Sequence, residues 1–213
     1  RIKRELDKSN IQSKFIRGLR VTDKKIINIV ESVLIDFNND IVDSLKKFGT
    51  DAVSIHTKKN NIIKVTPEAK ELGFVGIPNQ IDNNLIERIL NKKQVPIISP
   101  LGLGNDNHPY NINGDTAAGA IAKSLKSRRL LLMTNVEGVL DKNKKLIDEI
   151  SSSEILKMIE DNTITEGMIP KINTCLDAVN NGVTAVGIID GRKQHSILFE
   201  IFSDKGSGTL IRK

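Results

Sequence analysis

The sequence predicts an α/β fold with a mainly parallel sheet. Short apolar segments alternate with amphipathic helical segments along the chain, which is the pattern of strands covered by helices. Residues 130–134 (LLLMT) are apolar almost without interruption, as is typical of a strand buried on both faces inside a parallel sheet. The length of 213 residues suffices for one large domain or two small ones.

The first half of the chain is predicted to alternate between helices and short strands. Asp23 is expected to cap a long amphipathic helix over residues 24–48, and Gly49 to end it. The other predicted helices of this half are the tail of a helix at residues 1–8 and residues 83–91. The predicted strands are residues 52–55, 62–65, 73–77 and 95–99, with short extended pieces on either side of Gly18. A glycine-rich loop is predicted at residues 102–107.

The second half continues the alternation. A helix is predicted to begin with Asp115 or Thr116 as its N-cap, because either side chain can accept a bond from an early helix N–H. The serine run at residues 151–153 offers N-caps for a helix over residues 154–160. A further helix is predicted over residues 168–180, and strands over residues 130–134, 184–189 and 209–211.

Composition excludes several classes of protein. The net charge is +6, but lysines are spread along the chain and aromatic residues make up only 3%, so a nucleic-acid partner is not expected. No apolar run is long enough to cross a bilayer, and no signal peptide is visible. Cys175 is the only cysteine, which excludes an intramolecular disulfide, and it is predicted to be a core residue.

Loops that follow predicted strands are the expected place for a ligand, since open α/β sheets bind at the carboxyl ends of their strands. Four such loops are polar or rich in glycine: residues 18–22, 102–115, 134–138 and 189–195. Neither standard nucleotide-binding glycine motif is present, and the three histidines, His56, His108 and His195, lack metal-ligand spacing and are predicted at the surface. The helix that begins near Asp115 favours anions at its N-terminus. These patterns favour a site for an anionic small molecule.

Five motifs together resemble one family. They are GLRVT (residues 18–22), YNINGDTAAG (110–119), TNVEGV (134–139), EGMIPK (166–171) and IDGR (189–192). In this order and spacing the chain closely resembles the N-acetylglutamate kinases of the amino acid kinase superfamily, from its first residue to its last. The resemblance implies a three-layer α/β/α sandwich. It further implies an acyl-amino-acid-binding half at about residues 1–110 and a nucleotide-binding half at about residues 111–213.

The resemblance implies transfer of the γ-phosphoryl group of ATP, with Mg²⁺, to the side-chain carboxylate of N-acetyl-L-glutamate, a step of arginine biosynthesis. Catalysis of this kind depends on positioning and on charge neutralisation. By position, Lys171 would offset charge on the transferring phosphoryl and Asp115 would orient the catalytic lysines. Arg20, Asn111 and Asn113 would bind the substrate. The nucleotide would lie against Thr134, Asn135, Val136, Gly138 and Met168.

The C-terminal segment is similar to that of the arginine-inhibited members of the family. The resemblance implies that His195, Glu200 and Gly208 help to hold arginine as an inhibitor. It also implies a homo-oligomer, either a dimer or a hexamer, and a regulatory signalling protein as a partner in some organisms. The expected location is the cytoplasm, or the plastid stroma.

Three departures from the family are visible. Asn135 stands where the family usually has Asp, Gly114 stands where it has Ala, and residues 54–59 (SIHTKK) replace the usual SGKD or SGRD pattern. The family's first strands, with a catalytic lysine and a triple-glycine loop, have no counterpart in these residues, so the 213-residue fragment is expected to be inactive and poorly stable alone. The alternatives are a kinase for another amino acid and a non-enzymatic module that binds arginine or a protein partner.

Overall fold

The computed structural model describes residues 1–164, 167–203 and 206–213. The chain forms two compact units, Arg1–Ala117 and Ala118–Lys213. The sequence-predicted halves met at residue 110, a few residues before this boundary. No helix in the described ranges combines the length and the apolar character that crossing a membrane requires.

The first unit alternates helices with short strands. Its helices are α1 (Ile2–Lys8), α2 (Lys24–Lys47) and α3 (Asn83–Asn91), and α4 (Gly114–Ser124) begins at its end. Its strands are β1 (Phe15–Ile16), β2 (Leu19–Arg20), β3 (Ala52–Ile55), β4 (Ile63–Pro67), β5 (Gly76–Ile81), β6 (Val95–Ile98), β7 (Leu101–Leu103) and β8 (Pro109–Asn111).

Helix α2 begins where the sequence predicts. The side chain of Asp23 accepts hydrogen bonds from the backbone N–H groups of Lys25 and Ile26, both at 2.8 Å, and so caps two of the free donors of the first turn. The helix ends at Lys47, and Gly49 follows with φ +81°, a left-handed conformation that glycine adopts without strain. The local sequence therefore defines both ends of the longest helix.

The strands of the first unit form three small sheets. β1 and β2 pair antiparallel, β3 and β6 pair parallel, and four strands lie in the order β5-β4-β7-β8. In the last sheet, β4 pairs parallel with β7, while the β4–β5 and β7–β8 pairs are antiparallel. Part of the core is a buried aliphatic cluster that contains Leu6, Ile26, Val30 and Leu101.

The second unit contains one four-stranded sheet with helices. Its helices are α5 (Ser152–Glu160), α6 (Ile169–Asn180) and α7 (Ser196–Phe202), together with most of α4. Its strands are β9 (Arg129–Thr134), β10 (Glu149–Ser151), β11 (Ala185–Asp190) and β12 (Gly208–Arg212). They lie in the order β10-β12-β11-β9, with β9–β11 and β10–β12 parallel and β11–β12 antiparallel.

The predicted parallel strand and the predicted core cysteine are confirmed in this unit. β9 pairs parallel with β11, all six residues of which are buried. Cys175 is buried in an aliphatic cluster that also contains Ile172, Val186 and Ile188. Ser151 caps α5 in a capping box with Glu154, as the serine run predicts, although the helix begins at Ser152 rather than at Glu154.

Several local predictions were wrong. A single 3-10 turn at Lys70–Leu72 precedes β5, and the strand therefore starts at Gly76 and not at residue 73. The glycine-rich loop is shorter than predicted, because Gly102 lies inside the β7–β8 hairpin. Helix α7 was not predicted. His56, predicted at the surface, is buried, and its Nδ1 accepts a 3.2 Å hydrogen bond from the N–H of Lys58.

Candidate active site

Arg20 lies in the short β1–β2 hairpin of the first unit. In the pairing register Phe15 is opposite Arg20, and the guanidinium carbon of Arg20 lies 4.7 Å from the centre of the Phe15 ring. Nη1 of Arg20 donates a hydrogen bond to Oγ of Ser13. No carboxylate pairs with Arg20 among the described residues, and burial alone lowers the pKa of its guanidinium. A partly buried cation without an anionic partner is suited to bind an anion.

The backbone that follows Arg20 is fixed to the segment that leads to Asn111. Thr22 is fully buried, its Oγ1 donates to the carbonyl of Arg20 at 2.8 Å, and its own carbonyl accepts from Phe74 N–H at 2.7 Å. The carbonyl of Phe74 in turn accepts from the N–H of Asn111 at 2.9 Å. Two predicted substrate-binding residues, Arg20 and Asn111, are therefore linked by a chain of three hydrogen bonds, two of them between backbone groups and one from the Thr22 hydroxyl.

Gly73 is required by this chain of hydrogen bonds. It has φ +68°, and a Cβ atom built on it would lie 2.5 Å from the carbonyl oxygen of Thr22. Any other residue would push the two segments apart, because the contact is with backbone and not with a movable side chain.

Helix α4 begins with Asn113 as its cap. Oδ1 of Asn113 accepts hydrogen bonds from the N–H groups of Asp115 at 2.9 Å and Thr116 at 3.2 Å. The predicted caps, Asp115 and Thr116, are therefore wrong: their backbone N–H groups are the ones being capped. Asp115 lies in the first turn and is partly buried.

In the second unit α4 and α6 pack closely. A Cβ atom on Gly119 would lie 2.9 Å from Cγ2 of Thr174, so glycine allows the two helices to approach. One turn further along, Nζ of Lys123 forms an ion pair with Asp177. Both contacts advance in the same direction along the two helices, which therefore run parallel. Lys171 lies in the first turn of α6, one turn before Thr174.

The carboxyl ends of β9 and β11 lie side by side in the second unit. Thr134 ends β9 opposite Asp190 at the end of β11, and the carbonyl of Thr134 accepts from Gly191 N–H at 2.7 Å. The buried carboxylate of Asp190 accepts two 2.9 Å bonds from the guanidinium of Arg192 and one from its backbone N–H. The guanidinium of Arg192 holds the pKa of Asp190 at about 2.

The predicted nucleotide-binding residues extend from this edge. Asn135 is exposed, Thr134 and Val136 are partly buried, and Lys193 forms a 3.2 Å ion pair with Glu137 in the same loop. Gly138 has a structural reason to be glycine, since a Cβ atom there would lie 2.5 Å from Oγ1 of Thr209. Met168 packs against the aliphatic core of the second unit. Glu166 of the same motif lies outside the described residues.

The predicted effector residues are divided between two cavities. Glu200 and Gly208 line a cavity of about 310 Å³ together with Arg129, Asp148, Glu149, Ser203, Gly206, Leu210 and Arg212. His195 lies beside a different, apolar cavity of about 410 Å³ that is formed by Leu198, Phe199, Phe202 and Ser203.

Glu200 is buried and already has partners. One of its carboxylate oxygens accepts a 2.9 Å bond from Ser207 N–H, and the other lies 3.7 Å from Nη1 of Arg129. Gly208 is a structural glycine, because a Cβ atom there would lie 1.9 Å from the carbonyl oxygen of Ile188.

The chain resembles known proteins over its whole length. The model of the amino acid kinase family matches residues 1–190. An acetylglutamate kinase of Pelagibacter ubique is 56% identical over all 213 residues, which correspond to 74% of its length. The chain belongs to the amino acid kinase family. The resemblance seen in the five sequence motifs is thereby confirmed.

Solved structures with a similar fold include two proteins of different sequence similarity to this chain. The smu.665 protein of Streptococcus mutans is 31% identical and superimposes with a TM-score of 0.84, over 99% of this chain and 81% of that one. An N-acetylglutamate synthase of Neisseria gonorrhoeae, complexed with coenzyme A and N-acetyl-glutamate, gives a TM-score of 0.88 over the whole chain at 22% identity, over 49% of that protein. These likenesses confirm the α/β architecture of the amino acid kinase fold.

Sequence reasoning named the IDGR motif but gave Asp190 and Arg192 no role. Their bidentate ion pair closes the strand-end loop of this family member, and an acid two residues before an arginine at a strand end was the available signal. The sequence signal for the close approach of α4 and α6 at Gly119 was a run of small residues. Phe15 and Ser13 were not considered as neighbours of Arg20.

Proposed function

We propose that the protein transfers the γ-phosphoryl group of ATP to the side-chain carboxylate of N-acetyl-L-glutamate. A carboxylate oxygen forms the new bond to the γ-phosphorus, and the bond from that phosphorus to the β–γ bridging oxygen breaks to release ADP. No proton has to move in this step, because the nucleophile is already ionised at neutral pH. The task for the protein is therefore to hold two anions together and to offset their charge.

The observation that supports this proposal most is the environment of Arg20. The described arginines that pair with carboxylates include Arg17, Arg129, Arg192 and Arg212, whereas Arg20 is partly buried without such a pair. A planar guanidinium binds a carboxylate through two parallel N–H bonds. We assign Arg20 to the α-carboxylate of N-acetyl-L-glutamate.

Asn111 is proposed to bind the same substrate. The side-chain amide of Asn111 offers a donor and an acceptor, which matches an acetamido group and a carboxylate. Asn113 is also assigned to this end of the site, but its Oδ1 already caps α4. Only the amide nitrogen of Asn113 is therefore assigned to the ligand.

Lys171 is proposed to offset the negative charge on the transferring phosphoryl group. It lies in the first turn of α6, where the helix dipole also favours an anion. Asp115 lies in the first turn of α4, and the two helices run parallel through the Gly119–Thr174 and Lys123–Asp177 contacts. We propose that the carboxylate of Asp115 orients the side chain of Lys171. In this role Asp115 does not act as a general acid or base.

The nucleotide is proposed to lie against the loop after β9, at Thr134, Asn135, Val136 and Gly138, and against Met168. No group of three or more acidic, histidine or cysteine side chains that could hold a metal occurs in the described ranges. We propose that Mg²⁺ arrives with ATP, whose phosphates would supply most of its ligands. Mg²⁺ would supply charge neutralisation of the phosphates.

Arginine is proposed as a feedback inhibitor at the cavity lined by Glu200 and Gly208. Asp148, Glu149 and Glu200 line this cavity of about 310 Å³, a volume that suits a small molecule. Arg129 and Arg212 line it as well, and they pair with Glu200 and Glu149. His195 is proposed to contribute from the neighbouring apolar cavity. A homo-oligomer, a regulatory signalling protein as a partner and a cytoplasmic or plastid location remain proposals that follow from the family.

The test is calorimetric binding of N-acetyl-L-glutamate, of a non-hydrolysable ATP analogue with Mg²⁺, and of arginine. Binding is measured first because it does not depend on whether residues 1–213 include every group that turnover needs. The expected result is binding of N-acetyl-L-glutamate and nucleotide, with trapping of the acyl phosphate by hydroxylamine as the measure of turnover. No heat with either reactant at millimolar concentration would overturn the proposal.

The N-acetyl group separates this proposal from a kinase for another amino acid. L-Glutamate carries an α-ammonium group in place of the neutral acetamido group, and that charge would lie close to the cationic Arg20. We expect L-glutamate to bind at least tenfold more weakly than N-acetyl-L-glutamate. Equal affinities would favour the other kinase, and arginine binding without nucleotide binding would favour a non-enzymatic module.

A further inference from the structure

Phe15 is a large apolar residue that gains little from burial. Its side chain belongs to a strand of two residues, and 58% of Phe15 is exposed. Its aromatic contact is with a cation: the ring centre lies 4.7 Å from the guanidinium carbon of Arg20, within the range of a cation–π interaction. Phe15 therefore contacts the guanidinium of Arg20, which the proposed function assigns to the α-carboxylate of the substrate.

Ser13 restrains the same guanidinium at another point. Oγ of Ser13 accepts a hydrogen bond from Nη1 of Arg20. The backbone keeps the partners in place, because Phe15 is opposite Arg20 in the β1–β2 register and Val21 N–H donates to the carbonyl of Lys14 at 2.9 Å. A ring contact and a hydrogen bond together restrict a side chain that otherwise has several free rotations.

The chemistry of the guanidinium leaves room for a ligand. It carries five N–H donors, and the bond to Ser13 uses one of them. The guanidinium carbon lies over the face of the Phe15 ring, which carries no oxygen acceptor to compete with a carboxylate for the other N–H groups. A carboxylate can then bind in the plane of the fork while Phe15 and Ser13 keep that plane fixed.

We propose that Ser13 and Phe15 are positioning residues that hold the guanidinium of Arg20 for bidentate binding of the substrate α-carboxylate. This inference rests on the proposed function, because it takes Arg20 as the carboxylate-binding residue. Holding the fork before the substrate arrives reduces the side-chain entropy lost on binding, and so tightens substrate affinity without a direct contact. The effect is confined to N-acetyl-L-glutamate and does not extend to nucleotide affinity.

The test compares substitutions in the hairpin with a matched control. Phe15→Leu removes the π-face and keeps an apolar side chain, Phe15→Tyr keeps the ring, and Ser13→Ala removes the acceptor. Phe48→Leu is the control, since Phe48 follows the end of α2 and is 88% exposed. Arg20→Lys removes the fork itself. Dissociation constants for N-acetyl-L-glutamate and for the ATP analogue are measured by calorimetry for each full chain.

The inference predicts graded losses of substrate affinity. Phe15→Leu is expected to weaken N-acetyl-L-glutamate binding about two- to fivefold, and Ser13→Ala about threefold, while Phe15→Tyr and Phe48→Leu match the parent. Arg20→Lys is expected to weaken it at least tenfold. Nucleotide affinity is expected to stay unchanged in all of them. A general loss of folding would affect both ligands alike.

A spectroscopic signature reports the contact directly. The Nε–H resonance of Arg20, identified by its loss in Arg20→Lys, is expected to be shifted by the ring current of Phe15. The shift should disappear in Phe15→Leu and persist in Phe15→Tyr.

The two proposals fail in different ways. If Arg20→Lys weakens binding while Phe15→Leu and Ser13→Ala match the parent, the positioning role is overturned and the proposed function stands. If the parent does not bind N-acetyl-L-glutamate, or if Arg20→Lys binds it normally, the assignment of Arg20 is overturned, and the positioning role with it.

Discussion

Arg20 in the first unit and Arg192 in the second both lie in loops that the sequence assigned to the site, yet their surroundings are opposite. Arg192 donates two 2.9 Å hydrogen bonds to the buried carboxylate of Asp190. Arg20 contacts an aromatic ring and a hydroxyl group, and no described carboxylate pairs with it. An arginine that is paired with a carboxylate of the protein stabilises a loop, whereas an arginine without such a pair is suited to bind a carboxylate of a ligand.

The same contrast extends to other predicted site residues. In the second unit, Gly138 and Gly208 lie where a Cβ atom would collide with a neighbour, and Glu200 already accepts bonds within the unit. These residues would be retained for packing even without a ligand. A motif match alone does not separate the two kinds of residue, since both lie in loops after strands. Among these residues, substitutions at Gly138, Gly208 and Glu200 should therefore damage folding, and substitution of Arg20 should damage binding alone.

The largest expected effect is on folding, at Gly208. Gly208→Ala places a methyl group 1.9 Å from the backbone carbonyl oxygen of Ile188, which cannot move without separating β11 from β12. We expect the free energy of unfolding to fall by about 3 kcal/mol, measured by urea denaturation. Gly167→Ala is the matched control in the same unit, because none of the described residues has an atom within 4 Å of a Cβ atom there. Equal stability of the two variants would contradict the packing role.

The next effect separates the two arginines. Arg20→Lys keeps the charge but loses the planar fork, so we expect N-acetyl-L-glutamate to bind at least tenfold more weakly, with little change in unfolding midpoint. Arg192→Lys is expected to do the reverse, since it loosens the Asp190 pair and leaves the substrate-binding arginine intact. Calorimetry and thermal denaturation of both variants measure this. If both variants lose affinity equally, the contrast between the two loops is wrong.

A smaller effect is expected at Asn113, which combines a structural and a proposed ligand role. Asn113→Ala removes the cap of α4 and should lower the free energy of unfolding by about 1 kcal/mol. Asn113→Asp keeps an oxygen acceptor and should retain the stability of the parent. Denaturation and calorimetry of the two variants distinguish the capping role from the ligand-binding role. Weaker substrate binding by the stable Asn113→Asp variant would show that the amide nitrogen of Asn113 also contacts the ligand.

The last effect is confined to acid. The pKa of Asp190 is about 2 in the folded protein against an ordinary value of 3.8, so the unfolded chain takes up the proton first as pH falls. The ion pair with Arg192 therefore contributes stability fully above about pH 4 and loses it progressively between about pH 4 and pH 2. Unfolding curves across this range for the parent and Asp190→Asn should converge as pH falls. Parallel curves would contradict the pairing.

Much of the secondary structure could be predicted because its signals are local. Asp23 before a periodic apolar segment gave the start of α2, and the serine run gave the cap of α5, since a cap depends on residues within one turn. The 3-10 turn before β5 and helix α7 were missed because tertiary contacts stabilise them. Ser207 Oγ, for example, donates to the carbonyl of Ser196 at the start of α7. The cap of α4 was misplaced because Asn113, Asp115 and Thr116 are all good cap residues.

The sequence by itself determined the α/β class, the long α2 helix, the family and the set of loops in which site residues lie. Those depend on residue order and local chemistry, which five motifs preserve. Only the tertiary structure decided which of those residues are already neutralised or packed and which are not. Whether an arginine meets a carboxylate depends on residues brought together by strand pairing, as with Phe15 and Arg20 across a hairpin. Spacing along the chain does not show which group an arginine will contact. That group decides whether the guanidinium charge can bind a substrate.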